Sequence, residues 1–335
     1  MNVYQTIKLQ FSSDVDSWQL FYGEENFTEK HTSNIEFSRN SQGNYYVTTC
    51  SFNEIKNCVI SVSNSNAKLL VSISEFNGTV TSSQTIYNNQ ACCIIYRTCA
   101  TQSIQTSSTY EGVYLYSVST SNKQNFLHDS SIFSCGQIDI GSSIHRFSYG
   151  NISYSQNNIT NNKCYYDVGI EIDSSIICNL TRSTFIDNTG KSRVFYIGAS
   201  GPYNYYQCNI VNNQVSDTCF KIIDSAKIIL ESCVFKNNNC PNTIDISSSA
   251  SVTVIQSDFD GQTISATIKS TKNGHYNNLS HISTGLCEAK FTFDTNHNEV
   301  ILNAGKINYF PTDLINYHDI IGDVQILTKF LISTN

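Results

Sequence analysis

Apolar and polar positions repeat with a period of 24 to 26 residues between Ile159 and Phe259. The pattern anchors on Ile159, Phe185, Ile210, Phe235 and Phe259, with apolar or small residues seven, five and two positions before each anchor. Cys178, Leu180 and Ser183 precede Phe185; Ile228, Leu230 and Cys233 precede Phe235; Val252, Val254 and Ser257 precede Phe259. The first two columns are two residues apart, the period of a strand that buries one face. The three-residue step to the third column predicts a bend or bulge. Between them, Asn179, Thr181, Glu231 and Thr253 are predicted to face water.

Past each anchor comes a polar pair: Asn161 and Asn162, Asp187 and Asn188, Asn212 and Asn213, Asn237 and Asn238. Asn and Asp tolerate left-handed backbone and bond their own turn amides. Stacked at one site, they predict an asparagine ladder. A second strand follows, as in Ile170-Glu171-Ile172-Asp173, Phe195-Tyr196-Ile197 and Ile244-Asp245-Ile246. The copy at Ile222-Ile223-Asp224 loses the alternation, which predicts a bulge there.

The template extends upstream. Tyr45, Val47 and Cys50 lead to Phe52; Leu69, Val71 and Ser74 to Phe76; Ile94, Tyr96 and Cys99 to Thr101; Phe126, His128 and Ser131 to Phe133. Second strands fit at Ile60-Ser61-Val62, Val113-Tyr114-Leu115 and Ile138-Asp139-Ile140, and the long step from Thr101 to Phe133 predicts a loop excursion over residues 102–125. A fixed period in this range means stacked coils. The expected fold is all-β, a right-handed parallel β-helix solenoid of roughly nine to ten coils. It spans 45–290, between an N-terminal cap at 1–44 and a C-terminal coil and cap at 291–335. Trp18, Leu20, Phe21 and Tyr22 are expected in irregular strands over the first coil, and Pro311 at the start of a short helix. A leucine-rich-repeat solenoid fits less well, because the columns accept Cys, Tyr, Ser and Val.

Composition narrows the function. With 14% charged residues and 3 prolines, the chain suits strands joined by polar turns. A net charge of −7 argues against nucleic acid, which needs a basic stripe. No apolar run of about 18 residues predicts a transmembrane helix. Met1 to Lys8 lacks the basic start and apolar stretch of a signal peptide, so the compartment stays open. Of the 13 cysteines, Cys50, Cys99, Cys208 and Cys233 occupy the column two before the anchor. They read as small buried hydrophobes rather than a disulfide framework, which an odd total would leave incomplete. Cys92, Cys93 and Cys99 lack the spacing of a zinc site. Sequons at Asn26, Asn77, Asn151, Asn158, Asn179 and Asn278 carry little weight in a chain this rich in Asn, Ser and Thr.

The aliphatic, aromatic and cysteine columns with Asn turns resemble right-handed parallel β-helix proteins of the pectin lyase-like superfamily. They are also similar to β-helix repeat proteins of parasitic-protist surface families. The resemblance implies two kinds of function, since that superfamily holds polysaccharide lyases and hydrolases as well as tailspikes and adhesins. Its lyases carry an acidic calcium cluster with a basic residue, and its polygalacturonases carry close aspartates with a neighbouring histidine and lysine. No Asn-Thr-Asp, Asp-Asp or Gly-His-Gly signature occurs here.

The carboxylates nearest to a catalytic pair are Glu231 and Asp258, one coil apart and three residues offset. That places their Cα atoms roughly 11 Å apart, against about 5–9.5 Å between glycosidase carboxyl groups. Asp139 and Glu171 are expected at one outward position in neighbouring coils, with Asp173 two residues on, a candidate calcium set. The 7 histidines show no ligand spacing, and His128 is expected inward. No cofactor is indicated. Tyr114, Tyr196 and Tyr206, expected outward, and Tyr165-Tyr166, in a turn, offer platforms for sugar rings. The leading expectation is a non-enzymatic structural or interaction protein, a surface or adhesion module for a protein or glycan. The alternative is a pectin lyase-like polysaccharide lyase or glycoside hydrolase.

Overall fold

A computed structural model describes residues 17–23, 26–107, 112–120, 122–175, 177–198 and 201–260, with two-residue strands at Thr267–Ile268, Leu302–Asn303 and Lys306–Ile307. The chain divides into two compact units, Ser12–Ala289 and a second formed by Met1–Phe11 with Lys290–Asn335. In the second unit, Leu302–Asn303 and Lys306–Ile307 pair antiparallel. Pro311 lies outside the described residues.

The described residues of the unit Ser12–Ala289 form a parallel β-helix of about nine turns. One turn shows the plan: a front strand Ile177–Thr181, a short strand Thr184–Ile186 and a back strand Arg193–Gly198. Each pairs in parallel with its counterparts, giving, among the described residues, a front sheet of 11 strands and short and back sheets of 9 each. The parallel pairing starts at Glu29–His31 in the front sheet and Phe37–Arg39 in the back sheet.

Single residues in left-handed backbone make the corners. Between front and short strands stand Arg182 (φ 46°), Gln207 (53°) and Ser232 (53°), so the step in the hydrophobic pattern is a one-residue left-handed corner. After the short strand stand Asn161 (54°), Asp187 (56°), Asn212 (54°) and Asn237 (52°), the residue types this conformation tolerates best.

Behind that corner runs the asparagine ladder. The buried amides connect coil to coil: Asn162 Nδ2 donates to Asn188 Oδ1 (3.1 Å), Asn188 Nδ2 to Asn213 Oδ1 (3.0 Å) and Asn213 Nδ2 to Asn238 Oδ1 (3.0 Å). Each oxygen also accepts the backbone N–H of the coil before, and each amide nitrogen donates to a short-strand carbonyl. The ladder thereby satisfies polar groups that a solenoid corner would otherwise bury without partners.

A second ladder sits behind the first corner. The N–H of Ser130 donates to Asn157 Oδ1 (2.9 Å), that of Asn157 to Ser183 Oγ (3.1 Å) and that of Cys233 to Ser257 Oγ (2.9 Å). Cysteines in this column act as thiol donors: Cys208 Sγ reaches Leu180 O at 3.6 Å and Cys233 Sγ reaches Tyr205 O at 3.4 Å. They fill the positions that serine and asparagine fill in other coils. Small buried residues are therefore present as expected, with a polar duty that a purely hydrophobic reading omits.

Two coils depart from the expected register. Phe76 pairs with Ala100 and Ala100 with Ile132, so the true anchors are Ala100 and Ile132, each one residue before Thr101 and Phe133. Phe133 is 38% exposed. The inward triplets are Cys93, Ile95 and Thr98, then Asn125, Leu127 and Ser130. A slip of one residue exchanges the faces of a strand. His128 accordingly points outward, stacked on Phe126 (5.2 Å) and next to Phe21 (6.1 Å). Arg97 and Asp129 are the left-handed corner residues of these coils (φ 51° each). Cys99 leaves the column for Thr98; it heads the short strand Cys99–Thr101 and is disulfide-bonded.

The cause is a feature of the amino-terminal segment. The helix Ser17–Tyr22 lies on the outer face of the front sheet, where Trp18 and Tyr22 pack with Tyr46, Leu70, Cys92 and Ile94. These strands are buried on both faces, and their alternation disappears. The segment expected as irregular strands is helical here. His31 and Phe37 meet the first interior rings, with His31 stacked over Phe52 at 6.4 Å.

Back strands also shift in two coils. Residues 138–142 form a turn, and the strand is Ser143–Ser148; the preceding one is Leu115–Val118, with Tyr114 fully buried and its hydroxyl 2.9 Å from Thr98 Oγ1. The irregularity expected at Ile222 lies instead between Asp167 and Ile170 of the strand Asp167–Asp173. Of the expected excursion, Ile104–Gln105 and Leu115–Val118 belong to the coil itself.

Candidate functional site

The outer face of the back sheet carries a column of aromatic and charged side chains in strict register. Tyr87 pairs with Tyr116, Tyr116 with Arg146, Arg146 with Glu171, Glu171 with Tyr196, Tyr196 with Lys221 and Lys221 with Asp245. At about 4.8 Å per coil the column is roughly 29 Å long. Outward alternation places these residues side by side, and parallel stacking makes each the neighbour of its counterpart two dozen residues away.

The contacts are specific. The rings of Tyr87 and Tyr116 are 5.7 Å apart, and the Arg146 guanidinium lies 5.7 Å from the Tyr116 ring. Arg146 Nη1 donates to Glu171 Oε1 at 2.8 Å and Nη2 to Asp173 Oδ2 at 3.4 Å. Beside the column, Arg193 grips Asp167 with two bonds of 2.6 and 3.2 Å and spreads over Tyr196 at 4.3 Å. Burial pushes the Asp167 carboxyl well above the ordinary carboxylate range, against the pull of Arg193. Lys221 donates to Asp245 at 2.5 Å. Tyr87, Tyr116, Arg146, Tyr196, Lys221 and Asp245 are half-buried, and a guanidinium lies over one face of Tyr116 and of Tyr196.

Asp139, Glu171 and Asp173 do not come together as one set. Glu171 and Asp173 share Arg146, which takes the neighbouring place assigned to Asp139 in the sequence reading. Asp139 sits in the preceding turn and pairs with Lys191 Nζ at 2.5 Å. Among the described residues no group of three His, Cys, Asp or Glu side chains is placed to hold a metal ion.

Glu231 and Asp258 lie on different sheets. Glu231 ends the front strand Lys227–Glu231 opposite Ile255, whereas Asp258 is in the short sheet opposite Val234, beyond the Gln256 corner. Asp258 bonds Lys236 Nζ at 3.0 Å. Asn179 is exposed on the front sheet and accepts from Asn204 Nδ2 at 3.3 Å. Tyr206 stands on that sheet beside Glu231, and the rings of Tyr165 and Tyr166 meet edge to face at 4.5 Å.

A second titratable group lies near the amino-terminal helix. Burial raises the Asp129 carboxyl to about 6 despite the charge of Arg97, and burial lowers His128 to about 4, its Nε2 lying 2.8 Å from Ser153 Oγ.

Sequence reasoning found Tyr196, Glu171 and Asp173 but missed Tyr87, Tyr116, Arg146, Asp167, Arg193 and Lys221. The signal for Arg146 is the alternation in Ile144-His145-Arg146-Phe147, which a strand starting at Ser143 would have exposed. No family model, no curated protein and no solved structure matches this chain.

Proposed function

We propose that this protein is a non-catalytic β-helix interaction module whose back face binds neutral glycans. The observation that carries this reading is the column Tyr87, Tyr116, Arg146, Glu171, Tyr196. Tyrosine faces stack on sugar rings, and fixed carboxylate and guanidinium groups between them accept and donate hydrogen bonds to hydroxyls. Three cations, Arg146, Arg193 and Lys221, face the four carboxylates Glu171, Asp173, Asp167 and Asp245. A face on which every one of these cations is paired and one carboxylate is in excess favours uncharged sugars and disfavours polyuronates, which need surplus cations or calcium.

The reading extends to kinship with the pectin lyase-like superfamily and to a surface or adhesion role. Three parallel sheets per coil and the asparagine ladder support the kinship. The alternative, a polysaccharide lyase or hydrolase, draws on the same fold and needs carboxylates that converge, whereas Glu231 and Asp258 stand on separate sheets.

The test is a glycan array followed by calorimetry with neutral hexose and N-acetylhexosamine oligomers, and with oligogalacturonates as the charged comparison. Tyr116→Ala and Tyr196→Ala are expected to weaken neutral-glycan binding about 3- to 10-fold each, the scale of a lost aromatic contact. Binding of oligogalacturonates alone would overturn the neutral-glycan reading, and polysaccharide cleavage abolished by Glu231→Gln or Asp258→Asn would replace it with the enzymatic one.

A further inference from the structure

We propose that Cys219 and Cys240 are an oxidation site at which a disulfide forms between two successive coils. Cys219 is the second residue of the back strand Thr218–Ile223, and Cys240 precedes the back strand Asn242–Ile246 of the next coil. Their sulfurs are 2.8 Å apart, inside the contact distance of two non-bonded sulfurs, and a short movement separates them from a bond of about 2.05 Å. The coil geometry holds them there, since Thr218 and Asn242 are register partners in the back sheet.

Access reaches one member of this pair, Cys240, and not the cysteines of the front corner. Cys240 is 9% exposed and lies beside exposed Pro241, whereas Cys178, Cys208 and Cys233 are fully enclosed. The thiol of Cys219 donates toward Cys240, which lowers the latter below the ordinary cysteine value and favours the thiolate that must attack.

The reaction is thiol–disulfide exchange with a small disulfide such as oxidised glutathione. Cys240 thiolate attacks one glutathione sulfur, forming a mixed disulfide and expelling glutathione thiolate. Cys219 Sγ then attacks Cys240 Sγ, its proton passing to solvent, and expels the second thiolate. One protein S–S bond forms, the S–S bond of the oxidant breaks, and the two electrons and two protons of the protein thiols end on two reduced glutathiones.

Peptide mapping tests this on the folded full-length chain. After reduction with a phosphine and incubation with oxidised glutathione, the protein is quenched with iodoacetamide in denaturant and cut with trypsin and an Asp-N protease. Cys219 then lies in the peptide 217–221 and Cys240 in 237–244, while Cys208 and Cys233 fall elsewhere. The expected product is 217–221 joined to 237–244, formed by the folded protein and lost from protein oxidised in urea, where pairings scatter. Oxidation is expected to raise the unfolding midpoint by about 5–10 °C, an effect that Cys219→Ser abolishes without changing the circular dichroism of the reduced fold. Recovery of both peptides separately alkylated from folded, oxidised protein would overturn the proposal. So would a linked peptide formed equally well in urea.

Discussion

Replacing Asn188 by alanine tests what the asparagine ladder contributes. The side chain takes part in four hydrogen bonds. Its Oδ1 accepts from Asn162 N (2.9 Å) and Asn162 Nδ2 (3.1 Å), and its Nδ2 donates to Ile159 O (2.9 Å) and Asn213 Oδ1 (3.0 Å). Two partners keep a contact after the substitution: Asn162 Nδ2 still meets Ile132 O, and Asn213 Oδ1 still accepts from the backbone of residue 188. The Asn162 N–H loses its acceptor in a buried corner, at about 1–3 kcal/mol, and the other three bonds are worth about 1 kcal/mol each. The expected loss is therefore about 4–6 kcal/mol, a thousandfold or more in the opening equilibrium.

Hydrogen exchange read by mass spectrometry on peptides covering 158–164 and 184–190 measures this locally, which suits a solenoid whose coils need not unfold together. The control is Asn212→Ala, at an exposed left-handed corner (φ 54°), where the cost is about 1 kcal/mol of backbone strain. If Asn188→Ala raises exchange no more than Asn212→Ala, the ladder does not carry the corner and the reasoning fails.

His145 is buried among Tyr114 and Tyr154, and burial lowers it to about 3 from 6.5. Its contribution to stability is full above pH 6.5 and is lost as pH falls toward 3, so His145→Phe is expected to flatten the acid limb of urea midpoints by about 3 kcal/mol between pH 7 and 4. Asp129 works in the opposite sense: raised from 3.8 to about 6, it supports the fold fully below 3.8 and loses that contribution as pH rises through 6. Asp129→Asn should gain stability at pH 7 and little at pH 3.5, and an equal gain at both values would contradict the assignment. Ile73 holds a left-handed corner with a β-branched side chain (φ 46°), so Ile73→Asn should stabilise by about 1 kcal/mol in thermal melts. Trp18→Ala removes the 2%-exposed ring that packs on Tyr46 and should increase exchange in strands Asn44–Thr48 and Lys68–Ser72 while leaving Ile177–Thr181 unchanged.

Much of the coil was legible in the amino-acid order because each column answers to one local demand. Asn162, Asn188, Asn213 and Asn238 recur where a buried amide must bridge two coils, and Asp187 and Asn212 recur where the backbone turns left-handed. Register failed where a remote segment changed the solvent exposure of a strand. Tyr46, Leu70 and Ile94 face outward yet are apolar because the helix Ser17–Tyr22 covers them, and nothing within those strands records the helix. The candidate face was obscured by mimicry: Ile138-Asp139-Ile140-Gly141-Ser142-Ser143 looks like Ile170-Glu171-Ile172-Asp173-Ser174-Ser175 but forms a turn. With the strand placed there, Arg146 lost its position next to Glu171, and three cation–carboxylate groupings went unseen.

The ladder also has a direction. Asn162, Asn188 and Asn213 each send one amide hydrogen back to a carbonyl of the coil before and one, with the backbone N–H, forward to the next Asn oxygen, so the Asn162 N–H finds its acceptor only when Asn188 has docked, and the Asn188 N–H only when Asn213 has. A chain emerging from synthesis amino end first would hold each newly closed coil incomplete until the next arrived. The wound part would act as a template with one waiting donor edge, and assembly would proceed like a ratchet in the order of translation.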